Sequence, residues 1–563
     1  MSGSKRQLEN AYQSNSGITA MVRWPNATIY QGFVDIANTH RDEPALITDD
    51  DTLTYGDLWE RTRAFATGLA DLGVSAGDTV AVWLGNRPKW ILTQLAASYL
   101  GAAVVAVNTR YRRNEFEYML SDSGATAVVT EDSFLGTDYL KMLADVVPEL
   151  AEASPKGFDS EDFEDLSEVI AVDPDNTYSA VRSIASVIET GQTSDAPDPA
   201  TDPDAPVTIF YTSGTTGDPK GCLHDSRSVL NHSYAVGEHF DIEPEDVGLT
   251  LLPFCGVMGY NYVFSLLTHG ASAVIQPYFD AGRTAENIAT HDVTYFSGTD
   301  EMFTRTIDTA AFTAEAADSL RAGATFFANG YDETVFETIE DAVGFSIVQP
   351  YGSSEANSQV FVGDPADSQA QRKRVGGPLV NPNEQDARIV DPETGAELPP
   401  GERGELQVRG YNVLEEYLGK PEANEESFDG GWLKTGDLCE HDEQGYFYFH
   451  SRIDDALRVR GFLVSPRDIE QAIDDHSDVA QSQVVGATHP RHGEVPVAFI
   501  RPAESISAET IHDYLAEHIA DYKRPEDVII VDSFPRAEGP HGEKIQKTKL
   551  RDRVADRYTE GEE

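Results

Sequence analysis

Residues 79–107 read strand, helix, strand: the apolar run DTVAVWL, the helical stretch KWILTQLAASYLG and a second apolar run, AAVVAV. Few folds accept this unit. Two buried apolar strands joined through a helix lie parallel, with helices covering the sheet faces. ATAVVT at 125–130 is another short buried strand, and VTIFYT at 207–212 is a strand that runs straight into a Gly-rich turn. A parallel α/β sheet is the expected centre of the chain.

At 563 residues the chain is too long for one ordinary core and is expected to form several packed units. Short alternating strands, GELQVRG and GYFYFH, punctuate residues 404–449. After RIDD at 452–455 comes a small α+β unit: helix 466–475, strands VAQSQVVGAT and VPVAFIRP, helix 508–520 and strand DVIIVD. Residues 151–206 are strongly acidic and end in GQTSDAPDPATDPDAP, which reads as an insertion leading into a flexible connection.

The charge is far from balanced: 96 acidic residues against 42 basic ones, a net of -54. Such a field repels nucleic acid and anionic membranes, so neither is an expected partner. Lysine is scarce, with 12 lysines against 30 arginines. An acidic, lysine-poor surface over a normal core is expected of a halophile's protein, because concentrated salt mutes self-repulsion. Cys222, Cys255 and Cys439 are scattered, without metal-ligand spacing, and fit a reducing cytoplasm. The first residues carry no apolar signal core. The most apolar run, Ile91 to Val107, is interrupted by Thr93, Gln94, Ser98, Tyr99 and Gly101, so no integral membrane segment is expected.

The sharpest chemical signal is Tyr211–Lys220, YTSGTTGDPK. Its glycines let the backbone turn tightly and present N–H groups to phosphate oxygens, while hydroxyls and one lysine add donors. It lacks the adjacent GK[ST] of the P-loop. Lys220 is the only lysine between 157 and 372, and Lys544, Lys547 and Lys549 are three of only four after residue 453. In an arginine-rich chain, lysine stands where a compact point charge is wanted.

YTSGTTGDPKG resembles the phosphate loop of the adenylate-forming superfamily of acyl-CoA synthetases, adenylation domains and firefly-type luciferases. The other motifs follow in order: YGSSE at 351–355, TGD at 435–437, RIDDALRVRG at 452–461 and EKIQKTKLR at 543–551. TGD alone is an ordinary turn; five motifs in order, spanning about 30 to 551, are specific.

The resemblance implies an α/β fold: a large N-terminal domain (1–453) with doubly wound sheets plus a small barrel-like subdomain, and a small mobile α+β C-terminal domain (454–563) closing over it. It implies an ATP- and Mg²⁺-dependent acid–CoA ligase that makes an acyl-adenylate and passes the acyl group to coenzyme A. Thr212, Ser213, Gly214, Thr215, Thr216 and Gly217 would form the phosphate loop, with Ser213 to Thr216 and Lys220 on the β- and γ-phosphates. Tyr351 would stack on adenine, with the Gly330 segment opposite. Gly352 would adjoin the nucleotide, Ser354 would touch the α-phosphate, and Thr216 and Glu355 would serve Mg²⁺. Asp437 would take the ribose hydroxyls, a natural use of a two-oxygen acceptor, and Arg452 would contact the ribose or phosphate side. Lys544 would bridge the acyl carboxylate and the α-phosphate, Asp454 would be the hinge, and Arg460 and Gly461 would line the CoA path. The catalytic set is then Lys544, Glu355 and Lys220. A carboxylate needs no general base to attack phosphorus, so the task is alignment and charge neutralisation.

Several positions depart from the family pattern. Ser354 replaces threonine, Glu543 replaces glycine, and Asp300 and Glu301 replace a Pro–Thr pair in a wall of the acid pocket. Gly256 and Tyr260 fall in the pocket segment LPFCGVMGY. In the family's acetate-specialised members a tryptophan follows the adenine-stacking aromatic and closes the pocket; here that residue is Gly352. Medium- or long-chain fatty acids are the expected substrates. The alternatives are aryl or short acids, or a stand-alone adenylation enzyme charging a separate carrier protein.

The charge generates one prediction. As salt is withdrawn the Debye length grows and like charges repel over longer distances. The melting temperature should fall steeply between molar and millimolar potassium chloride; an unchanged value would refute the halophile reading.

Overall fold

The computed structural model describes residues 23–154, 157–174, 177–212, 219–327, 333–453, 455–459, 462–489, 493–519, 523–539 and 542–555. The expected strand–helix–strand unit is Thr79–Trp83, Pro88–Leu100 and Ala103–Ala106, and its strands are parallel. The helix begins on Pro88, whose fixed φ suits a first turn, and ends at Gly101, where φ is +77° and a side chain would be strained.

This unit belongs to an eight-stranded sheet. Its order is Glu416–Tyr417, Lys220–Asp225, Pro206–Thr212, Ala103–Ala106, Thr79–Trp83, Ala127–Thr130, Glu168–Ala171, Arg182–Ser183. The six strands from Pro206–Thr212 onward run parallel; the first two are antiparallel additions. A second, five-stranded sheet is ordered Tyr295–Phe296, Val247–Thr250, Ser272–Ile275, Pro44–Ile47, Thr52–Thr54. Buried Asn86 joins the two units: its amide nitrogen donates to the Leu252 carbonyl (2.9 Å) and its oxygen accepts from the Phe254 N–H (2.9 Å).

The described residues of 151–206 are built into the fold rather than forming a flexible connection. Glu168–Ala171 is a fully buried strand of the large sheet, and Ile184–Thr193 is a helix crossing Tyr55–Asp71 at very close range. A Cβ on Gly191 would stand 1.8 Å from the Ala64 carbonyl, so only glycine permits the crossing. The Pro- and Asp-rich stretch is tied down as well, with Tyr99 Oη donating to the Pro197 carbonyl (2.5 Å) and the Ala200 N–H to the Tyr99 carbonyl (2.7 Å). Acidic composition here marks a solvated face over apolar contacts, and composition alone could not show those contacts.

Residues 376–452 form an antiparallel sheet, ordered Gly376–Gly377, Phe447–Arg452, Trp432–His441, Gly404–Gly410, Gln385–Val390, with Phe428–Asp429 beside Trp432–His441. The C-terminal unit has its own core of Ile469, Ile473, Val484, Ile500, Ile511 and Leu515. Helix Pro466–Asp474 and the strands Val479–His489, Gly493–Pro502 and Asp527–Ile530 match the expected elements closely. A hairpin, Arg536–Gly539 with Gly542–Ile545, follows. Arg403 of the antiparallel sheet reaches Asp468 on the C-terminal helix (2.7 Å), and Lys523 holds the same carboxylate (2.8 Å).

Candidate nucleotide site

The Gly-rich loop leaves the large sheet where Pro206–Thr212 ends and returns on Lys220–Asp225. Thr212 and Lys220 are register partners, so the two ends of the loop are closed against each other. Ser213, Gly214, Thr215, Thr216 and Gly217 lie outside the described residues, as do Gly330, Asp454, Arg460 and Gly461. The flanks of the loop are held by side chains of which only Tyr211 belongs to a sequence motif. Tyr118 Oη donates to the Pro219 carbonyl (2.9 Å), and Tyr211 Oη donates to Asp122 (2.9 Å), whose other oxygen takes Lys420 (2.6 Å).

Lys220 Nζ sits 4.5 Å from the centre of the Tyr417 ring, a cation–π contact. The hydroxyl of the same tyrosine donates to Glu355 Oε1 (3.0 Å). One phenol therefore holds a cation on its face and an anion at its tip. Burial, and then the Glu355 charge, push the Tyr417 hydroxyl well above its ordinary pKa, so it stays a donor.

Segment 351–358 is a tight hairpin, Tyr351–Ser353 with Ser358–Phe361. Three successive carbonyls in its turn are each taken by a donor from another element. Ser354 O accepts from His224 Nε2 (2.8 Å), Glu355 O from the Leu414 N–H (2.7 Å) and Ala356 O from Asn412 Nδ2 (2.8 Å). Asn357 and Ser358 have φ of +53° and +81°, so the turn runs through left-handed backbone without glycine.

At the other end of the segment, buried Tyr351 donates from Oη to Asp437 Oδ2 (2.6 Å). Arg452 Nη1 donates to Asp437 Oδ1 (2.9 Å) and to the Thr435 carbonyl (2.7 Å). Asp437 and Arg452 are register partners on adjacent strands, which puts the pair on one face. Burial raises the Asp437 pKa, while Arg452 and the Tyr351 hydroxyl pull it back. Each oxygen keeps a second lone pair for a hydroxyl donor. Tyr351, Ser354, Glu355, Lys220, Asp437 and Arg452 are thus linked through one chain of contacts. Lys544 stands on strand Gly542–Ile545 opposite Ala537; its side chain lies outside the described residues.

Two of the expected acid-pocket residues have structural surroundings of their own. Tyr260 is fully buried core, edge-on to Trp90 and Phe210 and stacked on Phe264. Gly352 says nothing about acid size: a Cβ there would stand 1.7 Å from the Ser358 carbonyl oxygen, so the hairpin itself requires glycine. Gly256 is half-buried at the N-cap of helix Val257–Thr268. Glu301 turns to the surface and pairs with Arg305 (3.1 Å).

Among the described residues no group of three or more His, Cys, Asp or Glu side chains could hold a metal. The donors present fit Mg²⁺, which is commonly bound through one or two carboxylates plus substrate phosphates. Glu355 is half-buried, with only Oε1 in a hydrogen bond to a described residue.

These features assemble a site with a buried carboxylate–guanidinium pair at one end and a cation and a carboxylate sharing one phenol at the other. The AMP-binding enzyme family matches residues 33–418, and its C-terminal domain matches 468–538. The chain belongs to the AMP-binding enzyme family. It is 29% identical over 537 residues to a mitochondrial medium-chain acyl-CoA ligase, ACSF2, of Bos taurus, covering 91% of this chain and 85% of the relative. It is 30% identical over 523 residues to 3-[(3aS,4S,7aS)-7a-methyl-1,5-dioxo-octahydro-1H-inden-4-yl]propanoyl:CoA ligase of Rhodococcus jostii (strain RHA1), covering 90% and 95%. ATP-bound MatB from Rhodopseudomonas palustris superposes with a TM-score of 0.79 at 26% identity, covering 95% of this chain and all of that one.

Two buried histidines lie behind the 351–358 hairpin. Burial lowers the pKa of His224 to about 4 and that of His232 to about 3. An unfolded histidine takes up its proton near pH 6.5, at about the ordinary value. Between these values the unfolded chain binds more protons, so acidification favours unfolding. Asp225, which burial raises to about 7, acts in the opposite sense, so total stability is a poor readout. A difference isolates the histidine. His232→Gln should be less stable than wild type at pH 7, and the gap in melting temperature should narrow as pH falls to 4.5. A constant gap would contradict the assignment.

Proposed function

We propose that the protein is an ATP-dependent acid–CoA ligase that forms an acyl-adenylate and then an acyl-CoA, with release of pyrophosphate and AMP. The observation that carries this reading is the reach of the Tyr351–Glu355 segment. Its tyrosine touches the Asp437–Arg452 pair, and its glutamate shares Tyr417 with Lys220. A ribose at one end and phosphates at the other fit a nucleoside triphosphate. The relatives' names, both CoA ligases, support the second substrate.

In the first step a carboxylate oxygen attacks the α-phosphorus, and the bond to the pyrophosphate oxygen breaks. The obstacle is repulsion between anions. Lys220 and the Ser213 to Thr216 hydroxyls and amides hold the β- and γ-phosphates. Ser354 and Lys544 neutralise charge at the α-phosphate, and Asp437, Tyr351 and Arg452 fix the nucleoside. Glu355 and Thr216 would hold Mg²⁺, which would supply further charge neutralisation when bound. In the second step the CoA thiolate attacks the acyl carbonyl and AMP leaves. The C-terminal domain turns at Asp454 between the two steps, bringing Arg460 and Gly461 to the pantetheine path.

The acid is a medium- or long-chain fatty acid. Cys255, Val257 and Met258 form a half-buried apolar edge, and Met258 Sδ lies 3.2 Å from Ser358 Oγ on the same hairpin. The enzyme works in a cytoplasm of high salt; no described helix is long and apolar enough to cross a membrane.

A panel of acids scored by pyrophosphate release in molar potassium chloride tests the substrate class, and silence with every acid would refute the ligase reading. Lys544→Ala separates the half-reactions. Pyrophosphate release should fall by several orders of magnitude, while supplied acyl-adenylate and CoA still yield thioester. Equal loss of both steps would contradict the two-arrangement scheme.

A further inference from the structure

Strand Lys220–Asp225 carries more than its lysine. Four residues on from Lys220 the same strand bears His224, with no exposed surface, beside Thr208 of the neighbouring strand. A buried polar ring needs partners. Its Nε2 lies 2.8 Å from the Ser354 carbonyl and its Nδ1 lies 3.4 Å from Ser228 Oγ. A carbonyl only accepts, so Nε2 carries the proton and Nδ1 accepts from the Ser228 hydroxyl. Ser228 in turn accepts from Asn357 Nδ2 (3.2 Å). The imidazole and Ser228 therefore hold the 354–357 turn at both ends. The ring is neutral through the physiological range, since burial brings its pKa down to about 4.

We propose that His224 is a positioning residue for acyl-adenylate formation: its Nε2–H fixes the Ser354 carbonyl, and through it the side chains of Ser354 and Glu355, relative to Lys220 on the same strand. The inference rests on the ligase reading of the site. Its physical basis is a short covalent path. Lys220 and His224 are four residues apart on one rigid strand, and the hydrogen bond transfers that strand's position to a turn in left-handed backbone. The other two carbonyl ties come from a different segment, Asn412 and Leu414. Without the imidazole, the Ser354 carbonyl loses its direct tie to the phosphate-binding strand, and the turn keeps only its ties to Asn412, Leu414, Tyr417 and Ser228.

The test compares His224→Gln with His224→Asn. A glutamine amide nitrogen reaches the place of Nε2 and can donate to Ser354; an asparagine amide reaches only the place of Nδ1 and leaves the carbonyl unpaired. Steady-state pyrophosphate release, thioester formation from supplied acyl-adenylate, and calorimetric binding of ATP without acid are measured for each. His224→Gln should keep adenylation kcat within about threefold of wild type. His224→Asn should lose roughly 30-fold or more in adenylation kcat, with KM for the acid within about threefold, weakened ATP binding, and thioester formation less affected. The inference is overturned if the two variants behave alike, or if His224→Asn loses both half-reactions in proportion to its fall in melting temperature. Wild-type enzyme that releases no pyrophosphate with any acid would instead refute the ligase reading, so the two failures are distinguishable.

Discussion

The site depends on Tyr417 standing between Lys220 and Glu355. Had the ammonium and the carboxylate met directly, each would have neutralised the other and neither would be free for phosphate or metal. The phenol prevents this, offering its face to the cation and its hydroxyl to the anion. Its own place is fixed by sheet pairing, because Tyr417 is the register partner of Cys222, two residues from Lys220. A two-residue edge strand, easily overlooked as decoration on a parallel sheet, thereby sets the spacing of the two charges on which the proposed chemistry would turn.

The rest of the site extends from that pair along a single hairpin. Segment 351–358 runs from Asp437 at one end to Ser228 at the other, and its turn is pinned by three carbonyl contacts as well as by buried side chains. Such ties suit the proposed function, because backbone contacts add no charge where several anions would bind. The surrounding protein is strongly anionic, so the few lysines and the Arg452–Asp437 pair make a local exception to the field of the whole chain.

The parallel strand–helix–strand unit and the C-terminal unit were legible because apolar runs such as VTIFYT and AAVVAV carry the strand signal locally. The nucleotide motifs were legible because each is a short contiguous string. What stayed hidden depends on long-range contacts. Tyr118, Asp122, His224, Asn412 and Tyr417 sit in unremarkable sequence and matter only because sheet register brings them to the loop. The surroundings of two expected acid-pocket residues were hidden for a related reason. Tyr260 is enclosed by Trp90, Phe210 and Phe264 from other parts of the chain and its own helix, and Gly352 answers a backbone contact with Ser358 that no string of letters displays. Residues 151–206 misled because composition reports the solvated face and not the buried one.

The most direct test of the account follows the carboxylate oxygen. An accepted acid labelled with ¹⁸O in both carboxylate oxygens is incubated with ATP, Mg²⁺ and CoA in molar potassium chloride, and the products are weighed by mass spectrometry. Attack of the carboxylate on the α-phosphorus, followed by thiolysis, should leave one ¹⁸O in AMP and one in the acyl-CoA. Label in inorganic phosphate with ADP as the product, or AMP without label, would contradict an acyl-adenylate intermediate.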